Sequence, residues 1–155
     1  MKNSLNVWAL VTDGGKARIL SLQRYPAEAQ EILETNSPTR HKPDRDLVSD
    51  SSGRSHNVRG PGSHVREPRN SAHDLGEQRF VSNLMKRVLR ASQSGEFESL
   101  VLVADPTTLG NIRRQMSTAL RQMVILELNR DLTGLSKENL VKRLREALAW
   151  PEEKR

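Results

Sequence analysis

Leu100-Val101-Leu102-Val103-Ala104-Asp105-Pro106 is the segment on which the fold turns. Five apolar residues in unbroken succession leave no polar face, the pattern of a strand covered on both sides by helices. Asp105 and Pro106 then open a helix, since the carboxylate accepts bonds from free backbone N–H groups and proline has no N–H to lose. Downstream, Leu109, Ile112, Met116, Leu120 and Met123 supply one buried helical stripe, and Val124 to Leu128 reads as the next strand. Asn129 to Leu135 is a loop, and Ser136 caps a last helix buried through Leu140, Val141, Leu144 and Leu148.

Upstream, Phe80-Val81, Leu84-Met85 and Val88-Leu89 recur every four residues and predict an amphipathic helix that ends at Gly95. Val7 to Val11 and Lys16 to Leu22 flank Thr12-Asp13-Gly14-Gly15 and read as a hairpin. Ala29 to Thr35 is compatible with a strand or a short helix around Ile32-Leu33 and is taken as a strand. The predicted order is three strands, helix, strand, helix, strand, helix. A strand that returns to its sheet through a helix pairs in parallel. The expected fold is therefore α/β, a mixed five-stranded sheet made of a three-strand meander plus two parallel strands, with three helices. That layout is ribosomal-protein-L18-like and ribonuclease-H-like.

Between the meander and the first helix, residues 36–79 hold six apolar side chains against eight Lys or Arg, six acids and all four histidines. Such a polar arm is too long for an ordinary connection. A single domain over residues 1–150 with this arm, followed by a charged tail at 151–155, accounts for the 155-residue chain. The net charge of +6 favours contact with polyanions. With no cysteine, disulfides and thiolate chemistry are excluded. No apolar window suits a membrane span, and Met1 to Leu10 lacks the layout of a secretion signal, so the expected location is the cytoplasm.

Several motifs in order resemble one family. Trp8-Ala-Leu-Val-Thr-Asp13-Gly14-Gly-Lys-Ala17-Arg18-Ile19, Asp46-Leu47-Val-Ser-Asp50-Ser-Ser-Gly53-Arg54, Leu100 to Ala104, Leu109-Gly110 with Arg113, and Arg130-Asp131-Leu132-Thr133 resemble the bacterial host attachment family, "protein required for attachment to host cells". That family is in turn similar to the middle domain of eukaryotic and archaeal peptide-chain release factors. The resemblance implies an L18-like fold and a link to RNA or the ribosome. Asp105 stands where the family commonly has proline, and the arm carries Gly60-Pro61-Gly62 without the glutamine of the release-factor loop. Peptidyl-ester hydrolysis is therefore not carried over.

Candidate chemistry divides three ways. For nucleic acid, Arg40, Lys42, Arg45, Arg54, Arg59, Arg66 and Arg69 on the arm, with Arg87 and Arg113 on the helices, are suited to phosphate contact. The arm has no aromatic residue to stack on bases, so recognition would rest on shape and charge. For catalysis, Asp13, Glu77 and Asp105, with Asp131 as a fourth, would converge in a ribonuclease-H-like layout to hold metal ions for phosphodiester cleavage; the competing reading makes Asp13 and Asp131 turn residues and Asp105 a helix cap. Asp46 and Asp50 are read as turn residues that Arg54 can pair with. His41, His56, His64 and His73 match no ligand spacing, and no cofactor motif appears. A third reading is a protein-interaction module acting indirectly on attachment.

Overall fold

The computed structural model describes residues 5–37 and 72–150. Strands β1 (Asn6–Thr12), β2 (Lys16–Gln23) and β3 (Glu28–Asn36) are followed by helix α1 (Ala72–Gln93), β4 (Ser99–Ala104), α2 (Pro106–Gln115), α3 (Thr118–Met123), β5 (Val124–Leu128) and α4 (Lys137–Ala147). The sheet runs β3-β2-β1-β4-β5. The meander is antiparallel, while β1 with β4 and β4 with β5 are parallel, the expected mixed α/β arrangement.

Alternation along the two central strands divides the interior. Trp8, Leu10, Leu100, Leu102 and Ala104 point to one face, where they meet Val81, Leu84, Met85 and Val88 of α1 and Leu109 and Ile112 of α2. Val7, Ala9, Val11, Val101 and Val103 point to the other, against Leu132, Leu140, Leu144 and Trp150. Both faces of β1 and β4 are thus buried, which is why Leu100 to Ala104 carries no polar residue. Trp8 stacks on Phe97 with ring centroids 4.9 Å apart. Arg145 lies 5.5 Å over the Trp150 ring and donates from Nη2 to the Gln23 carbonyl at 2.9 Å, tying the end of α4 to β2.

Two expectations need correction. The arm was expected to reach Arg79, yet α1 already begins at Ala72. None of Leu75 to Arg79 is buried, so its first turns carry no apolar stripe for periodicity to detect. The single helix expected over Leu109 to Met123 is two: Met116 is extended, and Ser117 restarts the chain by accepting the Leu120 N–H on its hydroxyl at 3.2 Å. The described residues therefore hold four helices rather than three. The ambiguity at Ile32-Leu33 also has a cause. Pairing jumps from Ile19 with Leu33 to Leu20 with Glu31, leaving Ile32 as an extra residue in β3. Both Ile32 and Leu33 then pack on the same core, an adjacency that mimics a helix in sequence.

Candidate functional site

The parallel strands β1 and β4 end side by side at Thr12 and Ala104, the end of an α/β sheet where ligands commonly sit. Two of the three proposed catalytic carboxylates are engaged there by local backbone. Asp13 Oδ1 accepts the N–H groups of Gly15 at 2.8 Å and Lys16 at 2.7 Å, closing the β1–β2 turn. Thr12, fully buried, donates its hydroxyl to the Lys16 carbonyl at 2.8 Å and accepts the Gly14 N–H at 3.1 Å. Asp105 caps α2 by accepting the Thr108 N–H at 3.2 Å on Oδ2.

Glu77 does approach this turn. Gly14 has φ +87°, and a Cβ built on it would stand 3.1 Å from Thr108 Oγ1 and 3.4 Å from the Glu77 carboxyl carbon. Glycine is needed here for its backbone angle and for this close approach. Even so, no group of three His, Cys, Asp or Glu among the described residues is placed to hold a metal ion, so Asp13, Glu77 and Asp105 do not form the expected ligand set. The physical reason is that Asp13 and Asp105 turn to their own backbone, as short carboxylates in turns and caps do. Asp131 behaves likewise, accepting the Thr133 N–H at 3.0 Å and hydroxyl at 2.7 Å.

The helical face carries the charge. Helices α1 and α2 pack on the same side of the sheet. Between them opens a groove of about 440 Å3 lined by Leu75, Gln78, Arg79, Ser82, Asn111, Arg114 and Gln115. It contains two arginines, three amides and no acid. Gln115 donates to the Asn111 side chain at 2.9 Å and to the Gln78 carbonyl at 3.3 Å, bracing the two helices. Arg79, Asn83, Lys86 and Arg90 follow one another along α1 at spacings of four, three and four, a single exposed stripe, with Arg87 beside it. Arg79, Lys86, Arg87, Arg90 and Arg114 have no carboxylate partner among the described residues.

Arg113 differs from these. Its guanidinium grips Glu127 of β5 in a bidentate pair, Nε to Oε1 at 3.1 Å and Nη2 to Oε2 at 2.9 Å. Glu127 is held below its ordinary carboxyl range chiefly by that hydrogen bond, and the same bond raises the Arg113 guanidinium. Among the helical arginines expected to contact phosphate, Arg87 is exposed and has no carboxylate partner among the described residues, while Arg113 is occupied within the protein. Arg40, Lys42, Arg45, Arg54, Arg59, Arg66 and Arg69 lie outside the described residues.

Arg18 was overlooked as a functional or structural anchor. Only 5% exposed, it pairs with Glu31 at 2.7 Å and donates to the carbonyls of Thr133 and Leu135, fastening the β5–α4 loop beneath the sheet. Its parity with Leu20 and Leu22 was the available signal, because every second residue of β2 faces the same core.

A family model described as "Protein required for attachment to host cells" matches residues 8–144. No curated protein matches the chain. Among the described residues, no helix is long and apolar enough to cross a membrane.

Proposed function

The chain belongs to the host attachment family, and from that premise we propose that it is a non-enzymatic, cytoplasmic binding protein whose basic helix face docks on RNA or a ribosome-associated partner. One observation carries this reading: Arg79 and Arg114 line the same acid-free groove between α1 and α2, continuous with the Lys86 and Arg90 stripe. Arginines without a carboxylate partner among the described residues keep their forked donors for phosphate oxygens. The amides of Gln78, Asn111 and Gln115 add neutral groups that can meet sugar hydroxyls and base edges. The similarity to release-factor middle domains that the sequence motifs imply for the family would agree with a ribosomal partner, and the arm arginines would extend the same contact.

Binding of this kind releases counterions, so affinity for a structured RNA hairpin falls steeply as salt rises from about 50 to about 200 mM. Replacing Arg79 and Arg114 together by glutamine is expected to lower the slope of log affinity against log salt by about one for each arginine removed. Binding indifferent to salt, or a slope unchanged in the double variant, would remove the groove from the RNA reading.

A further inference from the structure

The two edges of the sheet are built differently. The β3 edge carries Glu28, Glu31 and Glu34 within nine residues, the charged guard that discourages another strand from pairing. The β5 edge, Val-Ile-Leu-Glu-Leu, carries one charge, and Glu127 is already neutralised by Arg113. Pairing between β4 and β5 skips from Val124 to Leu126, so Ile125 is extruded and stands 48% exposed. Beside this strand lies a groove of about 710 Å3, with Met116, Val124, Ile125 and Leu126 as its apolar wall and Arg113, Arg121 and Glu127 as its charged rim. Arg121 donates to the Arg113 carbonyl at 2.9 Å and has no carboxylate partner among the described residues.

We propose that the β5 edge is a docking site for an extended peptide whose apolar and acidic residues stand two apart, and so on one face, added as a sixth strand beside β5. The backbone groups on the outer side of an edge strand supply a hydrogen-bond template, and adjoining pockets select the side chains. The apolar wall around Ile125 fits the apolar positions of such a peptide. The rim sets the charge: two arginines against one glutamate leave a positive excess, which Arg121 contributes. A second copy of this chain is the poorer occupant, because it would bring a like-charged rim and add to the repulsion of a +6 protein. This site lies at β5 and does not depend on the α1–α2 groove.

The test titrates the full chain with a blocked Val-Ser-Glu-Ser-Val peptide, its Val-Ser-Lys-Ser-Val counterpart and a glutamate peptide N-methylated at alternate residues, following binding by calorimetry. The glutamate peptide is expected to bind, with the lysine and N-methylated peptides each about tenfold weaker or worse. Ile125→Lys, at an exposed position, should abolish binding while leaving the thermal transition in place. Arg121→Gln should erase the preference for glutamate over lysine. No binding of the glutamate peptide, or equal binding of the lysine or N-methylated peptide, overturns the proposal. So does sedimentation of the free chain as a dimer that Ile125→Lys dissociates, which would give the edge to a second copy.

Discussion

Arg18 illustrates how a charge can be structural in a protein whose surface charge invites a functional reading. Buried against the loop below the sheet, it satisfies the Thr133 and Leu135 carbonyls and the Glu31 carboxylate together. Replacing it by methionine keeps bulk but strands all three acceptors. Breaking one partner of a buried ion pair costs about 3–5 kcal/mol, and Arg18→Met is expected to lower the urea-unfolding free energy by that order. A loss under about 1 kcal/mol would mean that water replaces the guanidinium at little cost. At this scale the candidate site was only partly legible. Asp13, Asp105 and Asp131 were visible as carboxylates at turns and strand ends, yet a carboxylate that caps its own backbone and one that holds a metal look alike in sequence. The inward-facing arginine was visible only to a reader who carried the parity of β2 through position 18.

At the scale of elements, what was legible were the units with a periodic buried face. β4, β5 and α4 announced themselves through unbroken or stripe-like apolar residues, and Asp105 and Ser136 were recognised as caps. The break at Ser117 was not, because Leu109, Ile112, Met116 and Leu120 keep helical spacing through a residue that is extended. That break lets the chain turn from α2 into α3 and on into β5, where Arg113 reaches across to Glu127. The pair couples α2 to the sheet edge and makes that coupling pH-dependent. Since the Glu127 carboxyl sits below its ordinary value of 4.5 in the folded chain, its contribution is present above that value and is lost as pH falls through the depressed one. Urea midpoints measured from about pH 7 down to about pH 2 should therefore show a larger acid loss for the natural chain than for Glu127→Gln. Because the pair is surface-exposed, the difference should be small and should shrink further in high salt. Parallel curves for the two proteins would deny the coupling.

Across the whole molecule, two cores share one pair of strands. Leu10 belongs to the α1–α2 side and Leu140 to the α4 side, and both are fully buried. Leu10→Ala and Leu140→Ala are each expected to cost about 2–5 kcal/mol. Because β1 and β4 contribute alternate side chains to both cores, each variant should still unfold in one transition by fluorescence and circular dichroism alike. Two separated transitions would mean that the faces melt independently. The order of the sheet carries a further consequence. β1 is central, but its partner β4 follows far along the chain, with Val7 paired to Ser99. At about 5–20 residues per second, a ribosome takes roughly 5–20 s to make the intervening chain. Throughout that interval the nascent meander has both apolar faces of β1 to shelter and no neighbour for its open side. The strand order thus leaves that half-built sheet open to wrong pairing for as long as β4 is unmade.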